Sequence, residues 1–431
     1  MGPRIYNLFP LLAGAVPQWE DHLSRIATMG FNLVYVNPFH YPGFSGSLYA
    51  VKDHYRLHPL MGDADPDQLI SCFCRQAEKQ GLAVIMDLVI NHTSKDSLLA
   101  ERYPSWFRHE ADGSLYSPRA IDPADARKVT IWGDLAELDY GKPTTQAALV
   151  SYFGNVISHF IDCGIRGFRC DAAYQIPAEV WGKLIRFARS KRENTIFLAE
   201  TLGCRLEQVQ ALRSAEFDYL FNSAKWWDFK TPWLLEQYES FRRIAPSVAF
   251  PESHDTPRLV TDLAAEDVSD PAVIERAYRL HYFRTAMFSA GVMIPMGYEF
   301  GFSRKLHVVT TRPGDWEEPR FDLSVWIAAV NRLKAATPVL NVEGPQYRIH
   351  TDDPSVVGLT RRMPGDRPWA VTYMNTDLFY PHTIRVEGLD ADMEENREVT
   401  PDCAETILRI GDTLVLEPGE VRVFVNPQPR G

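Results

Sequence analysis

Several features that would place this chain on a membrane or a nucleic acid are missing from its sequence. Its 431 residues contain no apolar run near the roughly 20 residues needed to cross a bilayer, so no membrane partner is expected. They contain no long basic run either. The net charge of -11 argues against nucleic acid as a partner, because a phosphate-binding surface needs clustered Lys and Arg.

Targeting signals and cysteine patterns are also missing. The first apolar stretch, Leu8 to Val16, is broken by Pro10 and Gly14 and does not follow a basic segment, as it would in a signal peptide. The cysteines, at positions 72, 74, 163, 170, 204 and 403, match no zinc-binding spacing. We therefore expect free thiols and a cytoplasmic protein.

The composition that remains is that of a folded enzyme-sized chain. Hydrophobic residues make up 45% of the sequence and charged residues 23%, which is ordinary for a globular protein. Aromatic residues reach 12%, and their flat apolar faces suit both a core and the stacking of sugar rings.

Short apolar runs alternate with amphipathic stretches along the first three quarters of the chain. This alternation predicts an α/β fold, and eight strands without a Gly-rich dinucleotide turn favour a closed (β/α)8 TIM barrel over an open doubly wound sheet. The predicted strands are Ile5–Phe9, Asn32–Val36, Ala83–Leu88, Arg166–Cys170, Thr195–Ala199, Phe217–Phe221, Ser247–Phe250 and Gly291–Pro295.

Two departures from the alternation define the predicted domains. About 55 residues separate the third strand from its helix, which indicates an inserted small domain. After about Thr337, alternating segments between turn residues predict a C-terminal antiparallel β domain. The predicted division is a first barrel part at 1–92, an inserted domain B at 93–143, a second barrel part at 144–340 and a C-terminal β-sandwich at 341–431.

Acidic and basic side chains collect at the carboxyl ends of the predicted strands, where barrel enzymes carry catalytic groups. Two carboxyl groups about 5–5.5 Å apart can cleave an acetal through a covalent intermediate. Arg169 would keep Asp171 ionised, whereas Glu200 needs a raised pKa to donate a proton. His254 and Asp255 would bind hydroxyls of the distorted sugar.

These strand ends resemble the motifs of the α-amylase family of glycoside hydrolases. The motifs are Asp87 with Asn91-His92, then Gly167-Phe-Arg169-Cys-Asp171, then Glu200, then His254-Asp255. The resemblance implies that Asp171 is the nucleophile, Glu200 the general acid/base and Asp255 a stabiliser of the transition state. It implies further substrate contacts and structural support from Tyr49, His92, Arg169, His254, Asp87 and Asn91.

The sequence also departs from that family. Leu48-Tyr49-Ala50 stands where Gly-Tyr-Asp is usual, and Ala136-Glu137 where Pro-Asp is usual. Many members hold calcium through the asparagine that matches Asn91. No oxygen-rich set of partners is evident here, so calcium is not favoured and neither a metal nor another cofactor is expected.

A second, partial resemblance is to the branch of this family that transfers maltosyl units from maltose 1-phosphate. It is carried by Gly297-Tyr-Glu-Phe-Gly301, by Arg312-Pro-Gly-Asp-Trp316 and by Trp106 to Gly113. Arg304 and Lys305 are either solvated or contact the phosphate of a donor.

The predicted function is a retaining α-glycosidase or transglycosylase acting on α-1,4-linked glucans or oligosaccharides. Two alternatives remain open. One is a glucan-building glycosyltransferase that uses a sugar-phosphate or sucrose-like donor. The other is a silent family member that serves as a binding subunit, which the three retained carboxylates argue against. The sequence gives no indication of oligomeric state.

Overall fold

A closed parallel barrel forms the centre of the computed structural model, which describes residues 2–122, 125–364, 368–389, 396–404 and 406–426. Each barrel strand pairs with the next along the chain, and the eighth pairs with the first. The predicted (β/α)8 fold is therefore confirmed. The strands are β1 (Arg4–Leu8), β2 (Leu33–Val36), β3 (Ala83–Leu88), β4 (Gly167–Cys170), β5 (Ile196–Ala199), β6 (Tyr219–Phe221), β7 (Ser247–Ala249) and β8 (Gly291–Pro295).

The barrel interior is filled by side chains from nearly every strand, as small barrels require. Strand β4 contributes no apolar side chain at its start, because Gly167 lies too close to its neighbours. A Cβ at Gly167 would come within 2.6 Å of the Ile196 carbonyl oxygen. The apolar interior residues are Ile5, Leu33, Tyr35, Ile85, Leu198, Phe221, Val248, Phe250 and Met293.

Helices cover the outside of the barrel. Their apolar faces and the outward strand residues form one continuous core. The side chain of Asp270 caps the longest helix of the second half by accepting a hydrogen bond from the Ala272 backbone N–H at 2.8 Å. The helices are α1 (Pro10–Ala13), α2 (Val16–Thr28), α3 (Pro66–Lys79), α4 (Leu98–Arg102), α5 (Pro143–Asp162), α6 (Ala178–Lys191), α7 (Leu206–Ala211), α8 (Trp233–Phe241), α9 (Leu259–Ala265), α10 (Pro271–Phe288) and α11 (Ser324–Ala336).

The long connection between β3 and α5 has strands of its own. Strands His92–Ser94 and Leu135–Glu137 pair antiparallel at its base. A second hairpin joins Arg119–Asp122 to Asp125–Ile131. The segment thus leaves the barrel and returns at neighbouring points, so its outer part projects above the carboxyl ends of the strands.

The chain ends in antiparallel strands, as predicted. A six-stranded sheet follows the order β9, β10, β11, β16, β13, β14, and β12 pairs separately with β15. The strands are β9 (Gln346–Ile349), β10 (Val356–Arg362), β11 (Trp369–Asn375), β12 (His382–Arg385), β13 (Asn396–Glu398), β14 (Ile407–Leu408), β15 (Thr413–Leu416) and β16 (Val421–Val425). The exact domain limits given above stay a prediction.

Buried polar groups join the barrel to this C-terminal sheet. On the barrel side, the Nζ of Lys334 ties α11 to the end of α10 by donating to the carbonyl oxygens of Ala286 and Ser289, and it also donates to that of Leu340, at 2.6 to 2.7 Å. Glu343 accepts hydrogen bonds from the backbone N–H and the hydroxyl of Ser247, at the start of β7. In β10, Arg361 Nη1 donates to the Met287 carbonyl at 3.0 Å.

Within the described residues, no helix combines the length and the apolar character needed to cross a membrane. The six cysteines all have free thiols, in agreement with the expectation from the sequence.

Candidate active site

A cavity of about 480 Å³ opens at the carboxyl ends of the barrel strands, beneath the insert after β3. Six of the nine site residues predicted from the sequence line it, and Arg169 and His254 lie beside a smaller recess that also contacts Glu200 and Asp255. Asp87 lies fully buried below them. The six lining residues are Tyr49, Asn91, His92, Asp171, Glu200 and Asp255.

Buried Asp87 anchors the floor of the cavity. It accepts hydrogen bonds from Arg169 Nη1 at 2.9 Å, from Tyr35 Oη at 2.6 Å and from Tyr49 Oη at 2.7 Å. Burial raises the pKa of Asp87, whereas the Arg169 charge opposes that rise.

Arg169 Nη1, which donates to Asp87, also donates to Asp171 Oδ1 at 2.7 Å. Burial alone would lower the pKa of Arg169. Asp87 and the other acidic neighbours outweigh that effect and raise the pKa well above its ordinary value. Arg169 therefore places a permanent positive charge beside Asp171.

Glu200 follows β5 and faces the same cavity. Its Oε2 accepts a hydrogen bond from the Ala172 backbone N–H at 2.9 Å, and its Oε1 one from Leu202 N–H at 2.7 Å. Burial raises the pKa of Glu200 to about 7, and the nearby Arg169 charge limits the rise. A carboxyl group with this pKa can both donate and accept a proton near neutrality.

The hydrogen bond from the Ala172 N–H to Glu200 forms where Ala172 has an unusual backbone conformation. Ala172 has φ 40° and ψ 47°, in the left-handed region of backbone conformation that residues other than glycine rarely adopt. This conformation turns the chain sharply after Asp171 and points the Ala172 N–H at Glu200. Strain of this kind persists where surrounding structure holds it, often at functional sites.

Tyr49 connects the floor of the cavity to His254 and Asp255. Its ring stacks on His254 with an interplanar angle of 6°, and its hydroxyl lies 2.8 Å from His254 Nε2. The Tyr49 hydroxyl donates its single proton to Asp87. In the hydrogen bond between Tyr49 and His254, the proton must therefore be on His254 Nε2, and the Tyr49 oxygen accepts it. The same Nε2 lies 3.1 Å from Asp255 Oδ2. Burial lowers the pKa of His254, which makes the ring neutral at pH 7.

His92 presents unused hydrogen-bonding capacity to the cavity. It is buried, and neither ring nitrogen has a hydrogen-bond partner in the part of the chain that the structure describes. Burial also lowers the pKa of His92. A neutral imidazole with free nitrogens at a cavity wall can bind a hydroxyl group of a ligand.

The surroundings of Asn91 do not fit calcium. Asn91 Nδ2 donates to Gln175 Oε1 at 3.3 Å, and its buried Oδ1 has no partner among the described residues. Within those residues, no group of three His, Cys, Asp or Glu donors surrounds Asn91. Calcium takes six to eight oxygen ligands that usually include carboxylates, and Asn91 with Gln175 supplies far fewer. That the protein needs no cofactor stays a prediction.

Some cavity residues were not found from the sequence. Tyr35 and Asn37 continue the inward face of β2, and Asn37 Nδ2 donates to the Tyr49 hydroxyl at 3.1 Å. The period-two spacing from Leu33 to Tyr35 to Asn37 could have indicated them. The remaining wall comes from long loops, where no such period exists. It consists of Pro118, Trp132, Asp134, Tyr174, Val308 and Val309, among others.

Two tryptophans that follow β6 and the neighbouring residues Arg304 and Lys305 do not line this cavity. Trp227 is buried and donates from its ring nitrogen to the Thr231 carbonyl at 2.9 Å, whereas Trp226 is exposed. Arg304 pairs with Asp315 at 2.9 Å. Arg304 and Lys305 border a separate cavity of about 190 Å³ that also contains Asp315 and Glu317. The lining of that cavity therefore mixes acidic and basic side chains, and it also includes Arg258 and His307.

A family profile and several curated proteins are similar to this chain in sequence. Residues 4–110 match a family profile described as "Glycogen debranching enzyme, glucanotransferase domain". Alpha-1,4-glucan:maltose-1-phosphate maltosyltransferase of Burkholderia pseudomallei is 28% identical over 405 residues, covering 89% of this chain and 34% of that protein. The enzyme of the same name from Myxococcus xanthus is 24% identical, covering 80% of this chain and 53% of that protein. This chain thus spans between a third and about half of these relatives.

Solved structures of similar size share the fold. An α-amylase from Lactobacillus plantarum superimposes with a TM-score of 0.73 at 21% identity, covering 99% of both chains. The noncanonic maltogenic α-amylase AmyB from Thermotoga neapolitana gives 0.75 at 21% identity, covering 98% of both chains. The α-glucosyl transfer enzyme XgtA gives 0.76 at 14% identity over 99% of each chain. The resemblance to the α-amylase family, and in part to its maltosyltransferase branch, is thereby confirmed.

Proposed function

We propose that this protein is a retaining α-glycosidase or transglycosylase that acts on α-1,4-linked glucans or oligosaccharides. The observation that carries the proposal is the pair formed by Asp171 and Glu200 in one cavity. Asp171 is bound to the permanent charge of Arg169, whereas burial raises the pKa of Glu200 to about 7. The two carboxyl groups thus have different surroundings: Asp171 lies beside a permanent positive charge, and Glu200 has a raised pKa, which suits the double-displacement reaction.

In the proposed first step, Glu200 donates its proton to the oxygen of the departing sugar. Oδ of Asp171 attacks the anomeric carbon, and the glycosidic bond breaks as the ester bond to Asp171 forms. In the second step, Glu200 accepts a proton from water or from a sugar hydroxyl. The oxygen of that water or hydroxyl displaces Asp171 from the anomeric carbon. Water as acceptor gives hydrolysis, and a sugar hydroxyl gives transfer.

The other predicted site residues have supporting roles in this proposal. Asp255, whose side chain is 62% exposed, is free to bind hydroxyls of the reacting sugar. Tyr49 offers a ring face held by its hydroxyl, and His92 offers two free nitrogens. Asp87 keeps Arg169 in place. The cavity is large enough for about two sugar rings, within the range of small-molecule sites.

Transfer from a sugar-phosphate donor is the second candidate. It is favoured by the maltosyltransferase relatives, whose name specifies maltose 1-phosphate, and by the glucanotransferase profile. The chain spans only part of those relatives, so their complete activity does not extend to it directly.

Product analysis separates the candidates. We would incubate the protein with maltoheptaose alone, and then with phosphate, maltose 1-phosphate or sucrose added. Shorter chains alone indicate hydrolysis, redistributed chain lengths indicate transglycosylation, and extension that depends on maltose 1-phosphate indicates the phosphate donor. Asp171→Asn and Glu200→Gln should abolish each reaction, whereas Glu207→Gln, an exposed carboxyl on α7, should leave it unchanged. No product from any mixture would refute the proposed substrate class.

A further inference from the structure

A second group of chemically reactive side chains lies outside the barrel, away from the catalytic cavity. Asp67, His159 and Cys163 each offer one donor atom, and these atoms all lie within 4.8 Å of one another. His159 Nε2 and Asp67 Oδ1 are 3.0 Å apart. Within the described residues, this is the one group of three such donors close enough to share an ion.

The backbone places these donors together. His159 lies in the last turn of α5, and Cys163 follows four residues later with helical φ and ψ, so the two side chains share one helix face. Asp67 lies in the first turn of the neighbouring α3. Between the two helices, Arg166 pairs with Glu78, and Gly164 permits a close approach to Cys74. The donor positions are therefore fixed by two helices rather than by a loop.

We propose that Asp67, His159 and Cys163 form a binding site for zinc or a similar divalent transition-metal cation. Thiolate, imidazole and carboxylate are the ligands that zinc takes in proteins, usually four in a tetrahedron. Hard cations such as magnesium and calcium do not choose a thiolate. The side chain of Asp67 is 57% exposed, which leaves the fourth position open to water.

Binding is an exchange of a cation for a proton. When the cation binds, the sulfur–hydrogen bond is replaced by a sulfur–metal bond, and one proton is released to solvent. The site lies on the outside of the barrel and would tie α3 to α5, independently of the proposed glycoside chemistry.

Spectroscopy with cobalt tests the proposal directly. Protein freed of metal with a chelator would be titrated with Co²⁺, and a charge-transfer band in the near ultraviolet reports a thiolate ligand. We expect one cobalt per chain, full displacement by Zn²⁺, and loss of the band in Cys163→Ser. Cys72→Ser, a half-buried thiol on α3 whose Sγ faces Glu20 instead, is the matched control and should keep the band.

A second variant protects the test against misfolding. Asp67→Asn changes an exposed side chain, and it should weaken binding more than about tenfold without altering the far-ultraviolet circular dichroism. The proposal is overturned if neither metal binds stoichiometrically. It is equally overturned if Cys163→Ser, folded like the wild type, binds as tightly as the wild type.

Discussion

Arg169 Nη1 lies 2.7 Å from Asp171 Oδ1 and 2.9 Å from Asp87 Oδ1, so one guanidinium nitrogen holds both carboxylates. The two acids differ in their surroundings, because Asp87 is fully buried whereas Asp171 reaches the cavity. Asp87 therefore positions Arg169, and Asp171 remains available to a substrate. The predictions below depend on this division between support and chemistry.

The activity should fall as the pH rises through about 7. Burial raises the pKa of Glu200 to about 7, and the first step of the proposed reaction needs Glu200 in its protonated form. Initial rates with maltoheptaose from pH 5 to 9 would show the descending limb near this value. A rate that stays level up to pH 9 would exclude Glu200 as the proton donor.

Replacement of Glu200 by Gln should lower the rate by about 10²–10⁴ and also stabilise the protein at high pH. The folded-state pKa of Glu200 is above its ordinary value, so the wild type loses stability as the pH rises from about 4.5 to about 7. That loss is about 1.4 kcal/mol for each pH unit between these values. Thermal unfolding of wild type and Glu200→Gln at pH 5 and pH 8 checks this, with a larger gain in stability of Glu200→Gln over the wild type expected at pH 8 than at pH 5.

Tyr35 and Tyr49 form a matched pair for separating support from chemistry. Both donate to Asp87 Oδ2, at 2.6 and 2.7 Å, so Tyr35→Phe and Tyr49→Phe should each reduce the free energy of unfolding by about 1–3 kcal/mol. Of the two, Tyr49 lines the main cavity and hydrogen-bonds to His254, whereas Tyr35 lies at the smaller recess and meets the His254 ring edge-on. Urea unfolding and steady-state kinetics should therefore show similar stability losses, but a larger loss of kcat/KM in Tyr49→Phe. Equal kinetic losses would contradict a direct role for Tyr49.

Trp132 provides a test of the insert after β3. Its side chain is 40% exposed and lines the cavity, where a sugar ring can stack on it. Trp132→Ala should raise KM by up to about tenfold, since a stacked ring contributes about 1 kcal/mol, and leave the melting temperature unchanged. Trp226→Ala, exposed outside the cavity, is the control. An unchanged KM in Trp132→Ala would place the sugar elsewhere.

The barrel was predictable because its strands are buried on both faces and read as short apolar runs. Ala83–Leu88 and Gly291–Pro295 have the predicted limits. The prediction for Phe217–Phe221 began too early, because Glu216 adopts a positive φ of 67° and Asp218 accepts a hydrogen bond from the Phe197 N–H. These are side-chain and backbone details that a run of apolar letters does not encode.

That Asp171 and Glu200 meet in one cavity was predictable for a different reason. Motif spacing places Asp171 and Glu200 at strand ends, and the barrel then brings strand ends together. The outer wall of the cavity, which includes Trp132 and Val309, was not predictable. Its residues come from separate loops whose mutual positions depend on the whole fold. The group of Asp67, His159 and Cys163 has the same origin. Its members are separated by up to 96 residues, so a search for local metal-binding spacing finds nothing.

The buried contacts of Glu343 and Arg361 bear on how this chain could be divided or recombined. Glu343 caps the start of β7, and Arg361 reaches across from β10 to the end of α10. A cut before the C-terminal sheet would leave Ser247 and the carbonyl of Met287 without these partners. The sheet is therefore not an exchangeable module. Gene fusions or truncations that keep the barrel must keep these residues with it.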